Sequence, residues 1–506
     1  MKSQKMFAVS AVVCLTLLTC SFAVAAEKSK EISGPIAGPE VHPVVSAPMR
    51  ELGPQHVLGE EFVPATITGL LNMAGQSAPK GILYSDAVGA AGATQYVQLV
   101  NNQYTVYDKT SGAVVTGPVA ENLLWANAGD SCATSVGGDG VVTYDQLANV
   151  WVFLHHGIST TTGNLDCMAV STTSDATGTY YLYDYSLTGE FPDKPKLGVW
   201  PDAYYISQDL LDPNTKSFVR SMACAVNRAA MLVGGGGNSV CFQGSISLPT
   251  FVVTTLDGQT QPNAGEVAFF WQLDQRPNNG KNNLNAFQFH VDWTNLANST
   301  FTGPVANKLP AYSDACISLK PCIPEPGTTN VLSAWGDRLM SRITYRNFGT
   351  YESVLITHSV TLGTGTAAHS AIRWYEYRTP LTPVIYQYGT YSPDKTNFRW
   401  MGSMAQDQYG DMAVGYSISS STVYPGLRYA VRVPTDHTGI LEAEQTIVTG
   451  AGSQNGTNKN WSSYSSMTVD PVDDCTFYYT GQYYLTSSLE GWSTQIASFR
   501  LPSCTN

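Results

Sequence analysis

The chain has 506 residues, only 13% of them charged, and a formal net charge of −12 at pH 7. The charged share is about half that of an ordinary soluble domain, while 45 Gly and 28 Tyr make a composition suited to strands and tight turns rather than helices. The acidic balance argues against nucleic acid or an anionic membrane surface as a partner.

Lys2 and Lys5 precede an apolar run from Met6 to Leu18, and Ala23-Val24-Ala25 supplies the small residues of a cleavage site. That pattern predicts a signal peptide over residues 1–25. Ser10, Thr16, Thr19 and Cys20 interrupt the run, so no membrane span is expected, and Thr19 is a poor residue before a lipidated cysteine. Loss of Lys2 and Lys5 takes the charge from −12 to −14. The mature protein is expected to be secreted, in the periplasm or outside the cell. Residues 26–79 mix Lys, Glu, Pro and Gly without a sustained period and read as an N-terminal extension, either a mobile leader or an arm over the main domain.

From residue 80 to 506 the chain becomes a series of short β patterns divided by turn signals, with no long amphipathic helix. A loose phrase recurs: a small or acidic opening, an alternating strand, an Asp/Asn/Gly turn and an aromatic strand. Residues 139–153, 401–416 and 463–478 are its clearest copies. Units that cover one another's apolar faces build repeat folds, and the expectation is an all-β, seven-bladed β-propeller of four-stranded antiparallel blades. The first unit holds two strands around Asn101-Asn102, a turn that hairpins favour. Later units begin near Asp139, Asp193, residue 249, Gly336, Trp400 and Trp461. The strand near residues 496–501 is expected to complete a blade near the start of the domain or to end the last one.

The phrases Phe191-Pro-Asp-Lys-Pro-Lys-Leu-Gly-Val-Trp-Pro-Asp-Ala-Tyr-Tyr205, Tyr345-Arg-Asn-Phe-Gly349, Arg399-Trp-Met-Gly-Ser403 and Val469-Asp-Pro-Val-Asp-Asp-Cys-Thr-Phe477 resemble those of bacterial secreted β-propeller proteins, distantly similar to sialidase-type (BNR) repeat proteins. The resemblance spans most of residues 80–504 and implies the fold without implying an activity. The arginine triad and Tyr/Glu pair of a sialidase are not assignable. Where the pattern leads one to expect Trp-Gly-Asp, this chain has Trp461-Ser462-Ser463, so a channel carboxylate is expected to be missing there.

Of ten cysteines, Cys14 and Cys20 fall in the signal segment, leaving Cys132, Cys167, Cys224, Cys241, Cys316, Cys322, Cys475 and Cys504. An even number in an exported chain predicts disulfides. Sequential pairing is the simplest of many connectivities, and no zinc-type Cys/His spacing is present.

The starts of inner strands face the channel mouth of a propeller. On that reading Asp139, Asp193 and Asp337 converge there, with Arg338, Arg399, Trp200, Trp400, Trp461 and Tyr464 as further ligand-binding candidates. Three roles are open to the aspartates: bonds to backbone N–H groups that lock the ring, a structural calcium ion, or acid and base catalysis on a glycosidic bond. Asp145, Asp407, Asp411, Asp470, Asp473 and Asp474 sit in turns and read as structural. No other cofactor is expected. The functional expectation is a monomer that recognises an extracellular glycan or surface protein at its channel mouth. The alternatives are a polysaccharide-active hydrolase or lyase and a structural or adhesive surface protein.

Overall fold

The computed structural model describes residues 31–54 and 69–504, apart from 136, 160–162, 188, 249, 275–281, 318, 319 and 379–381. The segment read as a signal peptide lies outside the described residues.

Strand residues dominate, and they are grouped in antiparallel sheets that follow chain order. The first sheet contains Val88–Ala91, Gln95–Val100, Gln103–Asp108 and Val114–Ala120. The second contains Val141–Asp145, Val150–Gly157, Asn164–Ser171 and Tyr180–Leu187. The third contains Phe191–Val199, Tyr204–Leu211, Phe218–Val226 and Ser239–Gln243. Val252–Leu256, Ala268–Asp274, Asn283–His290 and Thr300–Lys308 form the fourth. Ile343–Asn347, Glu352–Leu362, His369–Arg378 and Val384–Tyr391 form the fifth. The sixth comprises Phe398–Gln406, Met412–Ser419, Gly426–Arg432 and Gln445–Val448.

The last sheet has a different origin. Ser466–Val469, Phe477–Tyr484 and Trp492–Phe499 supply three strands, and Gly69–Ser77, from the other end of the chain, pairs with Trp492–Phe499 as the fourth. The C-terminal strand therefore lies inside the last sheet, between its neighbour in sequence and the N-terminal strand.

The first strand of each sheet lies beside the first strand of the next, and Ser466–Val469 returns to lie beside Val88–Ala91. This cyclic contact of inner strands is the arrangement of a β-propeller. Thr254–Leu256 pair in parallel with Ile343–Tyr345, so two inner strands run in the same direction. A Cβ on Gly198 would collide with the Thr254 carbonyl, which explains a glycine where the third and fourth inner strands press together.

Aromatic side chains fill the spaces between neighbouring sheets. Tyr104 meets Phe153 across the first and second at 5.7 Å, and Tyr205 meets Phe270 across the third and fourth at 6.0 Å. Tyr429 stacks on Phe499 at 4.0 Å, and Tyr96 on Tyr478 at 5.3 Å, joining the last sheet to both of its neighbours. Each fully buried ring contributes roughly 1.5–3 kcal/mol by area. These aromatics explain the 11% FWY content without invoking a ligand.

Part of the N-terminal extension is a strap. Ile36–Ala37 pair with Val240–Cys241 at the edge of the third sheet, and Val44–Val45 with Tyr181–Leu182 at the edge of the second. The strap satisfies backbone groups on two edge strands that would otherwise invite pairing with other chains.

All four disulfides follow the sequential pairing: Cys132 with Cys167, Cys224 with Cys241, Cys316 with Cys322 and Cys475 with Cys504. They fit folding in an oxidising compartment. Among the described residues no helix is long and apolar enough to cross a membrane.

Candidate functional site at the mouth of the ring

Asp86, Asp139, Lys194, Thr250, Trp335 and Met401 all have positive φ, between 43° and 55°. Each stands shortly before an inner strand or within its opening residues, in six successive sheets. None is glycine, and the left-handed region is costly for Lys, Thr, Trp and Met. A repeated strain of this kind at one end of a ring marks positions over-determined by their surroundings.

Asp86 is the best anchored of these residues. One carboxylate oxygen accepts from Asn101 Nδ2 at 2.5 Å; the other accepts from the Ser462 hydroxyl at 3.3 Å and from the Ser463 backbone N–H. The Ser462-Ser463 break in the repeated phrase is thus filled in space by a carboxylate from the first sheet. The Asn101 side chain reaches onward through its oxygen, which accepts from the Asp139 N–H at 2.8 Å.

Asp139 itself is only partly exposed, and its Oδ1 is buried with no hydrogen-bond partner. Burial, then the nearby Asp86 carboxylate, push its carboxyl well above the usual range, while Lys194 and Lys196 oppose the shift. Lys194 forms an ion pair with Asp193 at 2.6 Å and stands 5.4 Å from the Trp335 ring. Burial works against the Lys194 charge, but Asp193 and Asp139 outweigh it and hold the ammonium above its ordinary value. Arg338 also lies over the Trp335 ring, at 4.3 Å, and contacts Asp337 at 3.4 Å.

Deeper in the ring, the Lys196 ammonium donates to the Tyr464 hydroxyl at 2.7 Å and to the Lys194 carbonyl at 3.0 Å. Desolvation brings its pKa down to about 7, against the pull of Asp139. Burial and the Asp139 and Asp86 carboxylates push the Tyr464 phenol well up. Glu121 is fully enclosed, both oxygens lack a partner, and burial with Asp139 nearby raises it to about 8. An open pocket of about 270 Å³ is lined by Tyr84, Asp86, Asn101, Gly138 and Asp139 among others.

The structure brings Asp139, Asp193 and Tyr464 into one electrostatic group, with Asp337 and Arg338 attached at its side through Trp335 and Lys194. Trp200, Arg399, Trp400 and Trp461 depart from expectation, because none presents a face to a ligand. Trp200 is buried against Phe269 and Tyr345 and donates to the Glu266 carbonyl. Trp400 and Trp461 are buried edge to face at 5.6 Å. Arg399 is fully enclosed and bound to Asp394 and Glu444. They stand near the starts of units, but position along the chain does not say which side of a strand a side chain takes: the three tryptophans are packed into the core, and Arg399 is held by Asp394 and Glu444.

Asp86, Lys194, Lys196, Glu121, Tyr84 and Trp335 were missed. A signal existed for two: Lys194 and Lys196 flank Pro195 in a chain poor in cations. Asp86 and Glu121 become functional candidates only once the ring closes.

Three of the turn acids are committed elsewhere. Asp145 accepts from Tyr204 and Arg228, both at 2.7 Å, and Asp474 takes both ends of the Arg346 guanidinium. Asp470 pairs with Lys109 at 2.9 Å. These pairs tie one sheet to another. His155 is packed 4.2 Å from the Trp125 ring, and its neighbours Cys132 and Cys167 are consumed in a disulfide.

No protein-family model and no curated protein matches the sequence. Among solved structures, the chain is similar to the α-L-arabinofuranosidase Arb93A from Fusarium graminearum, at 8% identity over 87% of this chain and 100% of that one, with a TM-score of 0.38. An α-L-arabinanase from Penicillium chrysogenum gives 9% identity, 86% and 98% coverage and a TM-score of 0.36. An N10 neuraminidase-like protein of an influenza A virus from a little yellow-shouldered bat gives 8%, 71%, 98% and 0.36. Likenesses this distant carry no inference about activity.

Proposed function

We propose that the chain is an exported, monomeric, seven-bladed β-propeller that binds an extracellular glycan at the mouth of its ring. The blade count is supported by the four-stranded groups and by the closed succession of inner strands. Export is supported by the N-terminal composition and the four disulfides.

The observation that carries the reading is the orphaned Oδ1 of Asp139, buried at the wall of an open pocket. Buried acceptors without protein partners are rare, and a ligand hydroxyl meets this one's need. Asp86, Asn101 and Asn102 line the same pocket and put acceptors and donors beside it, the mixture that polyhydroxylated ligands use, and Tyr84 adds an aromatic ring to the lining. Screening the purified mature protein on a glycan array, with Asp139→Ala beside the wild type, tests it. Binding that vanishes in the variant supports the site, and binding that persists unchanged removes it.

One observation favours a second reading, hydrolysis. Burial and the Asp86 carboxylate raise the Asp139 carboxyl well above the usual range, and a raised carboxyl next to other carboxyls is the arrangement of a general acid with its base or nucleophile. Release of reducing ends from the glycan that binds, abolished by Asp139→Asn, would separate this reading from binding alone.

A further inference from the structure

At the seam between the second and third sheets lies a partly open cavity of about 120 Å³. Ile206, Leu210 and Met222 give it apolar walls, and Ile36 to Pro39 of the N-terminal strap form part of its boundary. Among the described residues that line it, Asp166 and Glu190 carry carboxyls and there is no Lys, Arg or His.

Asp166 is 2% exposed. Its Oδ2 accepts from Gln208 Nε2 at 2.9 Å, and its Oδ1 faces His156 Nδ1 at 3.0 Å without a hydrogen bond of good geometry. A carboxylate oxygen has two lone pairs, so the group keeps acceptor capacity inside a chamber whose walls are mainly apolar, with Ser186, Ser239 and Gln243 as further polar lining. Glu190 is held at the rim by Arg220 at 2.7 Å. An empty chamber of this size that was wholly apolar would stay dry and take a hydrocarbon. A buried carboxylate in the wall changes the preference to a small molecule with an apolar body and a donor head, and with Glu190 already paired to Arg220 it is the charge of Asp166 that selects a cation.

We infer that this cavity is a second binding site, separate from the channel mouth, for a short-chain alkylammonium ion. The alkyl chain lies among Ile206, Leu210 and Met222, and the ammonium donates to Asp166. The volume sets the length, since about six carbon-sized atoms fill a cavity of roughly 150 Å³, so a chain of about four carbons fits.

The test uses the full mature chain and three probes of one length: n-butylammonium, n-butanol and butyrate. Calorimetric titration should show saturable n-butylammonium binding in about the millimolar range, as expected for so few atoms. It should be about ten-fold tighter than n-butanol binding, with no binding of butyrate. Leu210→Phe, which fills the cavity with apolar volume, should weaken the butylammonium affinity by more than about ten-fold. Met222→Phe does the same from another wall if the first variant fails to fold. Equal affinity for butanol and butylammonium, undiminished binding to a folded filled-cavity variant, or no butylammonium binding at all would each overturn the inference.

Discussion

Lys196 donates to the Tyr464 hydroxyl at 2.7 Å and stands 4.1 Å above the same ring. The contact joins the third inner strand to the segment leading into the last sheet, across the interior of the ring. It also holds a lysine where water cannot solvate it, which gives the ring a pH dependence of definite sign.

Lys196 has its pKa lowered from 10.5 to about 7 by desolvation. Between those values the unfolded chain binds a proton there that the folded chain does not, so this group makes the fold more stable as pH rises from 7 towards 10.5. Below pH 7 both states are protonated and the contribution is flat. Lys196→Met should abolish the rise. Urea midpoints of wild type and variant between pH 6.5 and 10 check it, and parallel profiles would refute the assignment.

Glu121 behaves in the opposite sense. Burial raises it from 4.5 to about 8, so the folded chain holds a proton that the unfolded chain has lost, and stability falls as pH rises through that window. Glu121→Gln keeps the shape without the titration. The variant should gain on the wild type progressively from pH 4.5 to 8, by on the order of a few kcal/mol at the upper end. A constant difference across the range would show that Glu121 ionises freely.

Lys194 occupies left-handed backbone with φ 52°. Lys194→Ala and Lys194→Gly both delete the ammonium and its pair with Asp193, but only glycine relieves the backbone. The glycine variant should therefore be more stable than the alanine variant by about 1 kcal/mol. Thermal melts of the two compare directly. Both should bind ligand more weakly than the wild type.

The Cys475–Cys504 disulfide closes a segment of 29 residues and fastens the C-terminus to the last sheet. Replacing both cysteines by alanine should cost roughly 3–4 kcal/mol in the chain-entropy account, read as a lower denaturation midpoint. Ligand binding at the mouth should survive in the folded fraction.

The architecture was legible because its causes are local and repeated. Alternating strands, Asn101-Asn102 at a hairpin turn with φ 71° at Asn102, and sequentially spaced cysteines each announce themselves within a few residues. The fourth strand of the last sheet was not legible, because Gly69–Ser77 reaches Trp492–Phe499 from more than four hundred residues away. Part of the candidate mouth has local signals. Asp139 and Asp193 stand at unit openings and were found there. Asp86, filling the gap left by Ser462-Ser463, follows only from ring closure. Trp400 misled because position along a strand does not reveal which side of it faces a neighbouring sheet.

The central claim rests on Asp139, and calorimetric titration of wild type, Asp139→Ala and Asp474→Ala with the glycan selected from the array measures it most directly. Asp474 is bound to Arg346 in a turn and serves as a control for destabilisation without loss of the site. Affinity should fall by at least about ten-fold, or 1.4 kcal/mol, in Asp139→Ala, while Asp474→Ala should bind like wild type at a lower melting temperature. Equal affinity in wild type and Asp139→Ala, with both proteins folded, would contradict it.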